Sequence, residues 1–221
     1  TLTPTQIHDN WKQYQQIYEW LEDDLSRETY IEYINAKLLY TSKKLRKLKT
    51  DCQYFPEDLP AFTPSSSAVF VDGGAFIGDT LNVFMSKTAG KGCAQYHAFE
   101  PDKNNIAQLQ AFVQNCGLNF VNMVTSGLWS RSSTLRFSSN YGSRSCVNKF
   151  GDAEITLDAL DNFQIPATFI KMDIEGAEYE ALLGATETIR VYRPNLAIAL
   201  YHKPDDLIKI PLFIKSLCEK Y

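Results

Sequence analysis

The segment IKMDIEGAEYEALLGA opens at Ile170 and sets Lys171, Asp173, Glu175 and Glu178 within nine residues, directly after the apolar run ATFI. Ionisable groups that close to a buried strand are costly unless each is paired or faces a ligand. Carboxylates placed there would attract a cation and repel phosphates. Two other stretches carry residues of similar potential. VFVDGGAFIGDT, Val69 to Thr80, is a glycine loop with an acid on either side, and AIALYH ends on His202. A histidine titrates near neutral pH and can take a proton from a hydroxyl.

Within the loop, Gly73, Ala75 and Gly78 fit the G-x-[GA]-x-x-G of dinucleotide sites. Asp72, Gly74 and Gly78 equally fit the acid-x-G-x-x-x-G turn of S-adenosylmethionine enzymes. Both patterns use glycines for a sharp turn and close backbone approach to a ligand, and both leave a helix N-terminus facing an anionic group. Glu100 ends the run CAQYHAFE, where an acid about 20 residues past the glycines is placed to bind ribose hydroxyls. Its neighbour Asp102 is placed to cap the next helix. No lysine follows Gly78 in G-K-[ST] fashion, which excludes a P-loop.

The elements that must position these residues come from pattern. AVFVD at Ala68, CAQYHAFE at Cys93, NFVNMVT at Asn119, ATFIKMD at Ala167 and NLAIALY at Asn195 read as strands, with helical periodicity between most of them. Such alternation predicts an α/β fold with a doubly wound, mostly parallel sheet, whose ligands sit beyond the carboxyl ends of the strands. On ATFIKMD, side-chain alternation puts Lys171 and Asp173 on one face and Ile170 and Met172 on the other. Gly176 permits a bend into a helix that Glu178 supports with its charge.

Before the sheet, residues 1–53 predict a helical hairpin. Thr3, Pro4 and Gln6 form a capping-box start, and Ile7, Trp11, Tyr14, Ile17, Tyr18 and Leu21 share one helical face. A second helix from about Ser26 carries Tyr30, Ile34, Leu38 and Leu45, and ends in the basic KKLRKLK, read as a solvated helix C-terminus. Residues 54–67, with three prolines and three serines, form a connector. Residues 68–221 form the ligand-binding domain, with an insertion at about 129–157 in which TLRFSS and AEITL pair around the polar loop NYGSRSCVNKF.

Composition narrows the classes. The 221 residues are 44% hydrophobic, enough for a sizeable core, and the net charge of -4 disfavours nucleic acid as a partner. Five cysteines, odd in number and without a C-x-x-C pair, suggest free thiols in a reducing cytoplasm. No apolar run reaches the ~18 residues of a membrane span.

VDGGAFIGDT, AFEPDKNN, FIKMDIEGAEYEALLGA and PNLAIALYHKPDDL occur in the order seen in the FkbM-like S-adenosylmethionine-dependent methyltransferases, and the chain resembles that family from about Val69 to Ile214. The resemblance implies a class I methyltransferase fold and O-methylation of a hydroxyl on a sugar, glycan or secondary metabolite. It also implies that Asp72, Gly73, Gly74, Ala75, Phe76 and Gly78, with Asp79 and Thr80 opening the helix, hold the methionine end of S-adenosylmethionine. Glu100 and Pro101 would take the ribose, Ser126 and Gly127 would lie near the adenine, and Asp173 and Glu175 would face the cationic sulfonium. Phe76 stands where the common turn has its middle glycine. A class I sheet ends in a further pair of strands that this chain does not reach, so five parallel strands are expected, with the helical hairpin covering the acceptor or building a homodimer. His202, at the ligand edge, is the expected general base and Lys171 the alternative. Asp173, Glu175 and His202 could otherwise hold magnesium, a reading ranked below simple acid–base catalysis. The alternatives are a nicotinamide-dependent oxidoreductase on the same glycine loop and a binding module without catalysis.

Overall fold

A computed structural model describes residues 2–50, 53–56, 59, 62–138, 146–147 and 153–221. In chain order the elements are α1 (Pro4–Asp9), α2 (Trp11–Trp20), α3 (Asp24–Leu39), β1 (Val69–Gly73), α4 (Asp79–Lys87), β2 (Gln95–Phe99) and α5 (Lys103–Asn115). There follow β3 (Val121–Val124), β4 (Gly127–Leu128), β5 (Ser133–Ser138), β6 (Cys146–Val147), β7 (Ala153–Asp158) and β8 (Phe169–Met172). The last are α6 (Glu178–Leu183), α7 (Thr186–Tyr192), β9 (Asn195–Ile198) and α8 (Asp206–Leu217). The chain divides into two units, one of residues 1–53 with 200–221, the other of residues 54–199.

The second unit is an α/β sandwich around a five-stranded, all-parallel sheet in the order β3-β2-β1-β8-β9. Successive strands step outward from β1 to β3, then the chain returns to β8 on the other side of β1. The strand order therefore switches between β1 and β8, and the crevice beyond their carboxyl ends is where such sheets take ligands. Central strands β1 and β8 are buried on both faces, so they read as apolar runs, while β9 at the edge is half-buried. The strands are shorter than their apolar runs suggest. Asp173 and Tyr201 both lie past the last ladder residue of their strands. Phe70 stacks between Tyr96 and Phe169, with ring centroids 4.9 and 4.8 Å away, and Phe84 closes on it edge-on at 5.4 Å. Phe55, from the connector, inserts into this cluster and is 3% exposed.

A second sheet, β4-β7-β5-β6, carries the insertion. TLRFSS and AEITL pair antiparallel as expected, with Ser133 opposite Leu157 and Phe137 opposite Ala153. Residues 139–145 and 148–152 of the polar loop lie outside the described residues. Two further strands escaped the sequence reading: β6 inside that loop, and β4, which runs parallel to β7 with Gly127 opposite Leu157.

The first unit is helical, with differences from expectation. The first helix is two, because Asn10 caps the end of α1 with its side-chain amide donating to the Gln6 carbonyl at 2.8 Å. Tyr14 and Ile17 are buried beyond that break, whereas Trp11 is exposed. Helix α3 starts earlier than Ser26, at the cap Asp23, whose carboxylate accepts from the Ser26 N–H at 2.7 Å. It ends at Leu39, so Leu45 and the basic run lie beyond it, around a single 3-10 turn at Leu45–Leu48. Helix α8 groups with these helices, although the sequence reading assigned it to the sheet domain. Its Leu207, Ile208 and Leu212 pack with Tyr14, Ile17 and Tyr30. Among the described residues no helix is long and apolar enough to cross a membrane, and Cys93, Cys116 and Cys218 are unbridged.

Candidate active site

Parallel register places Asp72 of β1 beside Lys171 of β8. The Lys171 ammonium lies 2.9 Å from Asp72 Oδ1 and donates to the carbonyls of Gly73 at 3.2 Å and Gly74 at 2.8 Å. On the other side the Tyr96 hydroxyl donates to Asp72 Oδ2 at 2.6 Å. The pair is sealed, Asp72 at 0% and Lys171 at 2% exposure. Burial pushes the Asp72 pKa up, against the downward pull of Lys171 and of the Tyr96 hydrogen bond. Burial, then the charge of Asp72, holds the Tyr96 hydroxyl well above its ordinary range. Asp72 is fully buried, and the Lys171 ammonium holds three oxygens at the start of the glycine loop, which fixes the loop's shape.

The loop needs its glycines where the backbone turns left-handed. Gly74 has φ +76°, and a Cβ there would stand 2.2 Å from the Asp173 carbonyl oxygen, so the loop and the exit of β8 touch backbone to backbone. Gly74 and Ala75 both donate to the Phe99 carbonyl at 3.0 Å. Phe76 takes φ +47°, the hand that a glycine would adopt without cost. Its N–H is held at 2.9 Å by Glu100 Oε2. Glu100 Oε1 accepts from the Asp102 N–H at 2.9 Å and the Asn105 side chain at 3.2 Å. Burial raises the Glu100 pKa, with those three hydrogen bonds opposing it. Asp102 caps α5 through the N–H groups of Asn104 and Asn105. Asp79 and the buried Thr80 open α4 behind the loop.

At the β8 exit, Glu175 and Gly176 are both left-handed, at φ +56° and +93°. The reversal is closed by Glu178, fully buried, whose Oε1 accepts from the Ile174 N–H at 2.9 Å. Glu178 is thus a turn-closing acceptor at the first residue of α6, while Glu175 points to the exposed side. The Asp173 N–H donates to the Gly73 carbonyl at 3.2 Å. Asp173 Oδ2 accepts from the Tyr54 hydroxyl at 2.8 Å, and the Tyr54 ring lies 5.4 Å from Lys171 Nζ. Tyr54 touches both side chains, so Lys171 and Asp173 do share a side. Sequence reasoning missed Tyr54 inside a proline-rich connector; the adjacent Phe55, an aromatic in a polar stretch, was the signal that the connector is pinned to the core. His202 belongs to the first unit, four residues after β9.

The residues of the second unit that share the switch point make a coherent cradle. Glu100 follows β2 beside the glycine loop, and Ser126 sits between β3 and β4 with its Oγ buried and, among the described residues, without a hydrogen-bond partner. A buried hydroxyl left unsatisfied points to a missing polar group. Pro101 lines Gly127, where a Cβ would approach its ring within 3.5 Å. Glu100 and Ser126, with Asp173 at the β8 exit, are the polar side chains gathered there that could hold a cofactor. The family model for the methyltransferase FkbM domain matches residues 72–219.

The chain belongs to the FkbM methyltransferase family. A solved structure, methyltransferase FkbM from Methylobacillus flagellatus KT, is similar with a TM-score of 0.83 and 27% sequence identity, over 98% of this chain and 55% of that one. The chain therefore spans about half the length of that FkbM protein. No curated protein matches it. Within the FkbM family match lie the glycine loop, Glu100, Ser126, Asp173 and His202; Tyr54 lies outside it.

Proposed function

We propose that this chain is an S-adenosylmethionine-dependent O-methyltransferase that modifies a hydroxyl of a sugar, glycan or secondary metabolite. The observation that carries the reading is the meeting of the glycine loop and the MDIEGAE turn at the switch in strand order. Membership of the FkbM family supports it. Bound there, S-adenosylmethionine would supply a methyl group on a positively charged sulfonium. Glu100 would accept from the ribose hydroxyls, and Ser126 Oγ, with the Gly127 turn, would face the adenine. The first turn of α4 offers N–H groups to a carboxylate. Asp173, oriented by Tyr54, and Glu175 favour the cationic end, whereas the same acids would oppose the phosphates of a dinucleotide. His202 is the proposed general base, an imidazole being able to take the acceptor's proton.

Calorimetric titration with S-adenosylhomocysteine and with NAD tests the reading. Heat with the first and none with the second is expected; the reverse would replace it with a nicotinamide enzyme. His202→Ala should keep its affinity for S-adenosylhomocysteine and lose turnover by at least about a hundredfold. Unchanged turnover would remove His202 as the base.

A further inference from the structure

We infer that a cavity in the helical unit is a binding site for a negatively charged saccharide. The cavity has a volume of about 300 Å³ and is lined chiefly by Tyr33, Lys37, Tyr40, Tyr201, His202 and Lys203. That volume is at the low end for small-ligand sites and suits a single sugar ring.

Its chemistry is unbalanced in one direction. Lys37 and Lys203 line it, and among the described residues no carboxylate does. Asp206 is 2% exposed and accepts from the Lys203 N–H at 2.8 Å, so it holds the backbone that presents Lys203, while Asp205, the nearest acid along the chain, is exposed and is not among the lining residues. The Lys37 ammonium lies 5.1 Å from the Tyr33 ring centre. Positive groups on an aromatic wall favour an anion that also has apolar faces, and the C–H faces of a sugar ring pack on aromatic rings.

The walls are built and held. The Tyr33 hydroxyl donates to the Tyr201 carbonyl at 3.2 Å, tying α3 to the segment after β9. Burial, then the charge of Asp206, raises the Tyr33 pKa to about 12, so the hydroxyl stays a donor at neutral pH. Tyr201 and His202 stand 4.2 Å apart, ring to ring. Tyr40 ends α3 at φ +51°, a position where glycine or asparagine is the usual residue. A bulky aromatic kept in a disfavoured conformation, 82% exposed and yet lining the cavity, fits a ring placed to meet a ligand. Beyond Tyr40, residues 41–50 hold Lys43, Lys44, Arg46, Lys47 and Lys49 and no acid. Lys44 reaches Glu32 at 3.3 Å, and the remaining four present exposed positive charge to any continuation of the chain of sugars.

His202 lines this cavity and is also the proposed base, so identifying the saccharide as the methyl acceptor rests on the proposed function. The binding itself does not. The test titrates the full chain by ligand-observed NMR with glucose, glucuronate, glucose 6-phosphate and inorganic phosphate, with S-adenosylhomocysteine affinity measured alongside. Both charged sugars should bind at least about tenfold more tightly than glucose, with the stronger of the two separating carboxylate from phosphate as the preferred group. The double variant Lys37→Gln with Lys203→Gln should abolish that preference, and Tyr40→Ala should weaken charged sugars while leaving S-adenosylhomocysteine affinity and the circular dichroism spectrum unchanged. Equal binding of glucose and its charged counterparts, or charged-sugar binding that survives the double variant, would overturn the inference. So would inorganic phosphate binding as tightly as glucose 6-phosphate with no effect of Tyr40→Ala, which would mark an anion site only. Charged-sugar binding without S-adenosylhomocysteine binding would leave the cavity assigned and end the methyltransferase reading.

Discussion

Glu100 is the residue on which the candidate site turns, because one carboxylate joins the glycine loop at Phe76 to the start of α5 at Asp102 and Asn105. Burial raises its pKa above the ordinary 4.5. The folded state thus binds the proton more tightly than the unfolded chain, so this group's stabilisation is full below pH 4.5 and is lost as pH rises through the folded pKa. Urea unfolding of wild type and Glu100→Gln across a pH series should show wild type losing ground to the variant from pH 4.5 upward. A pH-independent difference would contradict this account. Tyr54 is the second such residue. Tyr54→Phe keeps the ring over Lys171 and removes the hydroxyl that donates to Asp173. A part-buried hydrogen bond to a carboxylate predicts a loss of about 1 kcal/mol in unfolding free energy, with the urea m-value unchanged. The sequence named Glu100 because acids at strand ends follow a spacing rule. It was silent on Tyr54, whose partner is 119 residues away.

At the scale of elements, the site exists because two strand exits meet. Gly74 and Gly90 have nearly the same backbone angle, φ +76° and +77°, yet an added Cβ strikes the Asp173 carbonyl at the first and meets nothing within 4 Å at the second. Gly90→Ala should therefore cost about 1 kcal/mol, the left-handed penalty alone. Gly74→Ala should cost more than about 3 kcal/mol, since the loop or β8 must move. Chemical denaturation of the two variants measures the contrast, and equal losses would mean that the loop and β8 yield freely. The insertion serves the same edge. Strand β7 pairs with β4, so the hairpin that looked like a separate addition holds Gly127 in register beside Pro101. Two-residue strands such as β4 have no periodicity to read, which is why the sequence did not announce this one.

Across the whole molecule, the proposed cofactor should couple to stability. If S-adenosylhomocysteine binds only the folded chain, a concentration 100 times its Kd adds about 2.7 kcal/mol to unfolding, and NAD adds nothing. Thermal unfolding with each ligand measures both, and a shift with NAD alone would favour the oxidoreductase. The same scale shows what was local and what was not. The sequence by itself determined the five parallel strands, the glycine loop, the cap at Asp102 and the tight reversal after Asp173, because apolar periodicity, glycine placement and capping act over a few neighbouring residues. Only the tertiary structure decided what the charges of the KMDIEGAE stretch do. Lys171 is bound to Asp72, Asp173 to Tyr54, and Glu178 to the Ile174 N–H, while Glu175 alone among the four is exposed. It likewise decided that α8 packs with the N-terminal helices. The strongest of these choices are set by burial and by pairing across a sheet, between residues about a hundred positions apart, and no local pattern along the chain records which distant partner will neutralise a buried charge or cover an apolar face.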